Sequence, residues 1–268
     1  MQKMLRRVGF CIVIMAAVSG QMQAQGDRLT AIKAAVAEFV EDAYQYGSDC
    51  VEILQSVIKD PRHVGAFTAS SPFLARATVT KLCDREVEGP LKILEIGCGA
   101  GTITRYIIRN MQQNDTLDAV EYVPDLYEKA QTKFPREHYP NVKIYRGAFE
   151  NWLPEGVENI GDIDGSYDRI ICTVPFTKLE NRVVVDILRK AYRLLKPDGI
   201  FTYITLVGAE TLGYVKPDVR DRRAYWQKMH GFAGWRARYF EPCGSSFVFF
   251  NVTAAMVYHL KKKPEVID

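Results

Sequence analysis

Residues 91–104 read L-K-I-L-E-I-G-C-G-A-G-T-I-T, and this stretch decides the fold. Four of its first six residues are apolar, which is typical of a strand buried on both faces of a parallel sheet. Glycines follow at the alternate positions Gly97, Gly99 and Gly101, and a helical pattern begins at Thr102. Glycine suits this turn because it accepts positive φ and lets a ligand lie against bare backbone. The order strand, glycine turn, helix predicts the first unit of a doubly wound α/β fold.

The spacing of the glycines narrows the choice of ligand. A dinucleotide-binding turn has glycine at relative positions 1, 3 and 6, but the sixth position here is Thr102. A phosphate-binding P-loop requires a Gly-Lys-Ser/Thr run, which the sequence lacks. The pattern G-x-G-x-G, with an acid two residues before the first glycine, resembles motif I of the class I S-adenosylmethionine (AdoMet) methyltransferases. That resemblance implies AdoMet as cofactor, in a site that includes Glu95, Gly97, Cys98, Gly99 and Gly101.

Length and composition fit one packed α/β domain with additions. The chain has 268 residues, 47% of them hydrophobic, and a formal net charge of +3. So small a positive excess does not indicate a nucleic-acid binder, and we expect no nucleic-acid partner. The six cysteines are scattered without a C-x-x-C pair. We therefore interpret them as reduced thiols and predict no metal site.

The first thirty residues have the layout of a secretory signal peptide. Three basic residues precede an apolar run over 8–18, which is too short to span a membrane comfortably, and small and polar residues follow at 19–25. Export would separate an AdoMet enzyme from a cofactor made in the cytoplasm. Three readings stay open: a cleaved signal peptide, an uncleaved segment that holds the protein on the cytoplasmic face of a membrane, and a true start at Met22. We adopt membrane association as the working hypothesis.

The rest of the chain is predicted to have two parts. Residues 26–88 form an N-terminal helical extension with a substrate-side loop, and residues 89–268 form the AdoMet-binding domain. Apolar residues recur at helical spacing over 29–58, and this stripe either packs on the domain or lies on a lipid surface. The step Ser70-Ser71-Pro72 is typical of a helix N-cap followed by proline in the first turn.

Two further predicted strands carry candidate cofactor residues. The second strand, over 117–122, ends in Glu121, twenty residues past Gly101, where a carboxylate accepts both ribose hydroxyls. Tyr122 follows it. The third strand, over 142–145, leads into Gly147. In many methyltransferases the residue after this glycine is acidic and binds the adenine amino group. This chain departs from that pattern, and the candidates at this point are Ala148, Phe149 and the alternative acid Glu150.

The fourth predicted strand, over 168–172, runs into Thr173-Val174-Pro175-Phe176. Ligands of this fold lie outside the carboxyl ends of the strands, so this loop faces the transferred methyl group. The remaining predicted elements are a helix over 183–195, a turn over 196–199, a strand over 200–206, a basic helix over 217–229, and an antiparallel strand pair within 235–240 and 247–260. Together they predict a class I methyltransferase Rossmann-like fold, with a mostly parallel seven-stranded sheet, helices on both faces and an antiparallel C-terminal strand pair.

Residues 30–260 resemble the bacterial phospholipid N-methyltransferases, which convert phosphatidylethanolamine stepwise to phosphatidylcholine, and the related ornithine-lipid enzymes. Three places carry the resemblance: G-A-x-x-x-S-S at 65–71, x-V-P-F at 173–176, and N-V-T-A-A-M-V at 251–257. The chain departs from the family where Thr253 and Ala254 replace two prolines in the third segment, and where motif I carries Cys98 in place of a common proline.

The resemblance implies an amine lipid as substrate and an anionic membrane surface as partner. It places Ser70 and Ser71 on the substrate side and Thr173, Pro175 and Phe176 at the catalytic centre, where the ring of Phe176 can face a methylated cation. The acceptor amine needs a free lone pair. An alkylammonium with a pKa near that of lysine, about 10.4, is protonated at neutral pH. The site must therefore lower that pKa or accept the proton.

Two other functions compete with this hypothesis. The rRNA adenine dimethyltransferases share the overall layout, but their Asn-Leu-Pro-Tyr segment is replaced by one with Thr173 and Phe176. An exported binding protein without activity is the other alternative. The sequence selects neither a general base nor an oligomeric state.

Overall fold

The computed structural model describes seven isolated positions between 34 and 44 and the ranges 70–84, 89–176, 179–207, 231–251 and 254–264. The chain divides into two compact units, Met1–Ser48 and Asp49–Asp268, and the described positions of the first unit are helical. The predicted N-terminal segment over 1–25, most of the helical stripe over 29–58, residues 65–69 and the basic helix over 217–229 lie outside the described residues. Among the described helices, none combines the length and the apolar character needed to cross a bilayer.

One mixed seven-stranded sheet organises the second unit. Its strands are β1 (Lys92–Ile96), β2 (Thr116–Glu121), β3 (Val142–Arg146), β4 (Tyr167–Cys172), β5 (Leu195–Leu206), β6 (Phe240–Val248) and β7 (Ala255–Lys262). The spatial order is β3-β2-β1-β4-β5-β7-β6. The first five of these neighbours are parallel, and β7 is antiparallel to both β5 and β6. The predicted sheet, with its antiparallel C-terminal pair, is confirmed.

Helices cover both faces of the sheet, as predicted. They are α1 (Pro72–Cys83), α2 (Thr102–Asn110), α3 (Pro124–Lys133), α4 (Asn181–Leu194) and α5 (231–239). Alternate residues of β1 point into different cores, so that Ile93 packs with α1 and α2 whereas Leu94 packs with α4. Because both faces are buried, β1 reads as a nearly continuous apolar run rather than as an alternating one.

Three predicted elements need correction. Residues 247–260 were expected to form one strand, but they contain the end of β6 and most of β7. The segment 235–240 was expected to be a strand, but residues 231–239 are helical and β6 begins at Phe240. The apolar and basic residues of this segment alternate, which is compatible with a strand. Trp235 and Tyr239 are also four residues apart, the spacing of neighbours on one face of a helix, and their rings stack in α5 with centroids 6.1 Å apart. The predicted turn over 196–199 lies within β5, at a register shift between the pairs Tyr167–Leu195 and Arg169–Ile200.

The carboxyl ends of the parallel strands define the functional edge of the sheet. Because β1, β2, β4 and β5 run the same way, the loops that follow them emerge at this one edge. Leu206 at the end of β5 pairs with Ala255 at the start of β7, and Ala255 also pairs with Val248 at the end of β6. The turn between β6 and β7 therefore lies at the same edge as the glycine turn after β1.

Candidate active site

The three glycines of the turn after β1 have different structural roles. All three have left-handed φ, +81° at Gly97, +58° at Gly99 and +86° at Gly101, a conformation that other residues adopt at a cost. A Cβ at Gly97 would lie 2.7 Å from a methyl of Val174, and one at Gly101 would lie 2.5 Å from the ring of Phe134. A Cβ at Gly99 would meet nothing within 4 Å. The first and third glycines thus permit close packing, whereas the second leaves open space beside the backbone.

Glu121 turns its carboxylate towards this open space. Its Oε2 accepts a hydrogen bond from the N–H of Gly99 at 2.7 Å, and its Oε1 accepts one from the N–H of Val123 at 2.7 Å. Burial raises the pKa of Glu121, and the backbone donors oppose that rise. Each carboxylate oxygen has a further lone pair, so the group can still accept both hydroxyls of a ribose. Tyr122 follows with an exposed ring.

Glu95 lies beneath the same turn and is fully buried. Its Oε2 accepts a hydrogen bond from the hydroxyl of Thr104 at 2.6 Å, whereas its Oε1 has no hydrogen-bond partner among the residues that the structure describes. Burial raises its pKa to about 8; the Thr104 hydrogen bond opposes this rise and the charge of Glu121 adds to it. This carboxyl oxygen has an unused lone pair and can accept a hydrogen bond from a ligand, and a cationic group placed beside it would lower the pKa again and favour the carboxylate. Together with the space at Gly99, it fits AdoMet, whose α-ammonium and sulfonium groups are cationic.

Cys98 occupies the variable position of the glycine turn. Its side chain is buried, and burial together with the nearby carboxylates raises the pKa of the thiol well above its ordinary value. The thiol therefore stays protonated at neutral pH, and Cys98 packs as a small apolar residue against Ala119 and Ala130.

The predicted adenine segment follows β3. Ala148 precedes a 3₁₀ turn over Phe149–Asn151, and the ring of Phe149 is buried and stacks on Trp152 with centroids 6.0 Å apart. Since that ring belongs to the core, the segment can offer adenine mainly its backbone groups.

Lys190 on α4 was not singled out by the sequence, yet it holds this segment in place. Its ammonium is buried and donates hydrogen bonds to the carbonyl oxygens of Phe149 at 2.7 Å, Glu150 at 3.3 Å and Trp152. Burial lowers its pKa to about 8, and the charge of Glu150 opposes this. The one available signal was a lysine on the apolar face of an amphipathic helix, three residues after Ile187.

The loop after β4 touches the glycine turn directly. The N–H of Thr173 donates to the carbonyl oxygen of Ile96 at 3.0 Å. The hydroxyl of Thr173 donates to the carbonyl oxygen of Gly97 and lies 3.3 Å from that of Ile96. The predicted catalytic residue Thr173 therefore adjoins the predicted cofactor residues, and its hydroxyl proton is engaged by the main chain.

Phe176 lies further along this loop and contributes its ring to an aromatic cluster. Its centroid is 5.1 Å from that of Phe232 and 5.9 Å from that of Tyr203, and only 5% of the residue is exposed. Pro175, between the two, is half-buried. An apolar cleft between α4 and α5 is lined by Phe176, Asn181, Val184, Val185, Phe232 and Trp235.

Ser71 and Asn251 connect two distant segments of the chain. Ser71 is the N-cap of α1, and its buried hydroxyl accepts a hydrogen bond from the N–H of Leu74 at 3.2 Å. Its own N–H donates to Oδ1 of Asn251 at 2.8 Å. The Ser71 hydroxyl thus caps a helix, and its contact with Asn251 brings together the first and third segments of the phospholipid-enzyme resemblance. Ser70 is half-buried beside it.

We expect Thr173→Val to weaken AdoMet binding by about tenfold, because the nearly isosteric side chain loses its hydrogen bonds to the loop that holds the cofactor. Thr173→Ser keeps the hydroxyl and serves as the matched control, with an affinity close to that of the wild type. Calorimetric titration with AdoMet measures both. Equal affinity of the valine variant and the wild type would show that the hydrogen bonds of the Thr173 hydroxyl are not needed for AdoMet binding.

Comparison with known proteins identifies the domain. Residues 93–199 match a family described as "Methyltransferase domain". Protein-L-isoaspartate O-methyltransferase of Methanococcus aeolicus is 27% identical over 124 residues, 46% of this chain and 53% of that protein. Thiol S-methyltransferase TMT1A of Homo sapiens is 29% identical over 123 residues, 46% of this chain and 45% of that protein. The chain spans about half the length of the curated relatives it matches.

Solved structures agree in fold. A SAM dependent methyltransferase from Aquifex aeolicus has a TM-score of 0.51 at 16% identity, covering 80% of this chain and 99% of its own. The PH0226 protein from Pyrococcus horikoshii has a TM-score of 0.52 at 17% identity, covering 70% and 89%. The family match identifies residues 93–199 as a methyltransferase domain, the class that the glycine turn and Glu121 predicted.

Proposed function

We propose that this chain methylates the amino headgroup of a membrane phospholipid, phosphatidylethanolamine or its methylated derivatives, with AdoMet as the methyl donor. One observation carries the choice of substrate: parts of the three segments that resemble the phospholipid N-methyltransferases lie along the same functional edge of the sheet, and the first and third of them are in contact. Ser71 contacts Asn251 there, and Thr173 contacts Gly97 of the glycine turn. A common location supports a common role in holding the acceptor opposite the donor.

The donor side of the site rests on this chain's own polar groups. AdoMet, when bound, supplies a methyl group on a cationic sulfur. Glu121 accepts the ribose hydroxyls, the bare backbone at Gly99 admits the ligand, and the unpartnered oxygen of Glu95 receives a positively charged group. Thr173 fixes the distance between the glycine turn and the acceptor loop. These groups position the reactants, which is the main requirement of an in-line displacement at carbon.

The acceptor side is apolar, which favours a neutral amine. The cluster around Phe176 and the cleft lined by Val184 and Trp235 present little polar surface, so an ammonium entering them loses hydration. Desolvation lowers the pKa of an amine and so exposes its lone pair. Once methyl groups are added, an aromatic ring face such as that of Phe176 attracts the resulting cation.

The curated relatives act on other acceptors, and the test must include these. Their names describe transfer to a protein isoaspartate and to a thiol. The donor side of this site is compatible with each of these acceptors, so it does not by itself distinguish between oxygen, sulfur and nitrogen acceptors.

The deciding experiment expresses the full chain in a bacterium that makes no methylated phospholipids, and analyses the lipids by mass spectrometry. We expect new mono-, di- or trimethylated phosphatidylethanolamine. Cells that express Glu121→Ala serve as the control and should keep the original lipids. Unchanged lipids in cells that accumulate folded wild-type protein would overturn the lipid assignment.

A panel of acceptors with purified protein identifies the alternative if the lipid fails. Formation of S-adenosylhomocysteine is measured with phosphatidylethanolamine vesicles, an alkyl thiol, an isoaspartyl peptide and an adenine-containing RNA. Turnover with the vesicles alone supports the proposal. Turnover with the RNA and not with vesicles would favour the adenine dimethyltransferase function instead.

A further inference from the structure

Three phenylalanines at the end of the β6–β7 hairpin are exposed, and we refer to Phe247, Phe249 and Phe250 as the phenylalanine tip. Their exposed fractions are 58%, 70% and 66%, although phenylalanine is usually buried. The rings of Phe249 and Phe250 contact each other edge to face with centroids 5.5 Å apart, and Phe250 also contacts Phe73 at 5.4 Å. Contiguous exposed apolar surface of this kind marks an interaction site.

The structure holds the phenylalanine tip in place from both sides. Asn251, directly after the tip, accepts the hydrogen bond from Ser71 at the start of α1, and its own N–H donates to the carbonyl oxygen of Phe249 at 2.9 Å. On the other side, Val248 is buried against Leu74 of α1. Anchored on α1 and β7, the exposed rings lose little conformational freedom when they are covered.

The chemistry of the hairpin favours a lipid bilayer over a protein partner. Residues 242–258 contain no Asp, Glu, Lys or Arg, although 25% of the chain is charged, so about four would be expected in a run of this length. An uncharged loop enters the interfacial region of a bilayer without desolvating a charge, whereas protein interfaces usually have a polar rim.

The position of the phenylalanine tip relates it to the active site. It lies at the functional edge, where Val248 pairs with Ala255 and Ala255 with Leu206. The strand β6 is four strands away from β1, in the order β1-β4-β5-β7-β6. Because neighbouring strands are about 4.8 Å apart, the phenylalanine tip lies roughly 15–20 Å from the glycine turn. That distance is comparable with the depth of a headgroup layer and the reach of a lipid drawn partly out of it.

We propose that the phenylalanine tip inserts into the interfacial region of a phospholipid bilayer and sets the active site against the headgroups. The inference rests on the proposed lipid substrate, but it makes a separate physical claim about where the protein touches the membrane. Phe249 and Phe250 contribute apolar area to the bilayer, and Asn251 holds the loop that presents them.

Fluorescence at the tip tests the claim locally. Phe249→Trp in the full chain adds one indole to the three native tryptophans. We expect its emission, taken as the difference from the wild type, to shift to the blue on addition of vesicles of phosphatidylethanolamine and phosphatidylglycerol, and to be quenched by lipids brominated near the top of the acyl chain. The absence of both effects would overturn the proposal, whatever residues 1–25 contribute to binding.

A pair of variants tests the energetic contribution. Phe249→Ser/Phe250→Ser should reduce vesicle partitioning by about tenfold or more, whereas Phe249→Trp/Phe250→Trp, which keeps the apolar area, should retain it. Methylation of soluble phosphoethanolamine should be the same in both variants, which shows that the fold and the donor site persist. Unchanged partitioning of the serine variant would overturn the proposal.

The remaining outcomes separate this inference from the proposed function. If the tip inserts but no lipid is methylated, the inference stands and the lipid substrate fails. If lipid is methylated while the indole at position 249 stays unquenched, the substrate stands and the inference fails. If sedimentation shows a dimer that the serine variant abolishes while vesicle binding stays unchanged, the phenylalanine tip is an interface between copies of this chain.

Discussion

Glu121→Ala is expected to reduce AdoMet affinity by about 10²–10⁴-fold, because it removes the buried carboxylate that would accept the two ribose hydroxyls. A hydrogen bond to a charged group contributes roughly 1.5–3 kcal/mol, and two are lost together. The substitution also leaves the N–H groups of Gly99 and Val123 without the acceptor they have in the wild type, which loosens the glycine turn. Calorimetric titration with AdoMet and with S-adenosylhomocysteine should therefore show similar losses, since both ligands have the ribose.

Controls separate a loss of ligand contact from a loss of fold. Glu128→Ala removes an exposed carboxylate from α3, a short distance along the chain, and should leave the affinity unchanged. Circular dichroism of Glu121→Ala should retain the spectrum of the wild type. An affinity within threefold of the wild type in a folded Glu121→Ala protein would show that another group binds the ribose.

Gly101→Ala is expected to destabilise the fold strongly. The residue has φ of +86°, and its new methyl would lie 2.5 Å from Cε2 of Phe134, a ring that is itself buried. Left-handed backbone costs about 1–2 kcal/mol in a residue with a side chain, and overpacking costs about 1–3 kcal/mol more. For a chain of this size the sum corresponds to a fall in Tm of about 5–15 °C, measurable by calorimetry.

Gly99→Ala is the matched comparison, because it combines left-handed φ with empty surroundings. At φ of +58° and with nothing within 4 Å of the added methyl, it should lose only the backbone contribution to stability. Its methyl projects into the space assigned to the ligand, so AdoMet affinity should fall more than stability does. Phe134→Leu combined with Gly101→Ala should recover part of the lost stability. If the two single alanine variants lost equal stability, the contact with Phe134 would have no role.

The residues expected on the donor side could be selected from the sequence because they belong to short-range patterns, and the structure brings Glu121 to the glycine turn. Glu121 was found by its distance from Gly101 and by its position at the end of a predicted strand, and parallel pairing then brings it to the glycine turn without further information. The same logic located Thr173 beside Gly97. Turns at the ends of neighbouring parallel strands need only the order of the strands to be correct.

The acceptor half depends on packing between distant elements, which one sequence does not reveal. Phe176 was predicted at the reacting centre, but the residues that surround its ring, Tyr203 and Phe232, come from β5 and α5. The helix α5 was itself assigned as a strand, since its apolar and basic residues alternate. Lys190 was overlooked because a single lysine within an amphipathic helix is usually solvated, and its carbonyl partners lie about forty residues earlier.

The hydrogen bond between Ser71 and Asn251 joins residues 180 positions apart. In a chain synthesised from its amino terminus, the strands and turns that include Glu95, Glu121 and Thr173 leave the ribosome long before Asn251 does. The glycine turn and the residues around it can therefore fold before the β6–β7 hairpin is synthesised, while the proposed acceptor surface is completed only when that hairpin docks on α1. Translation order alone then delays the proposed action on an acceptor until Asn251 has been added.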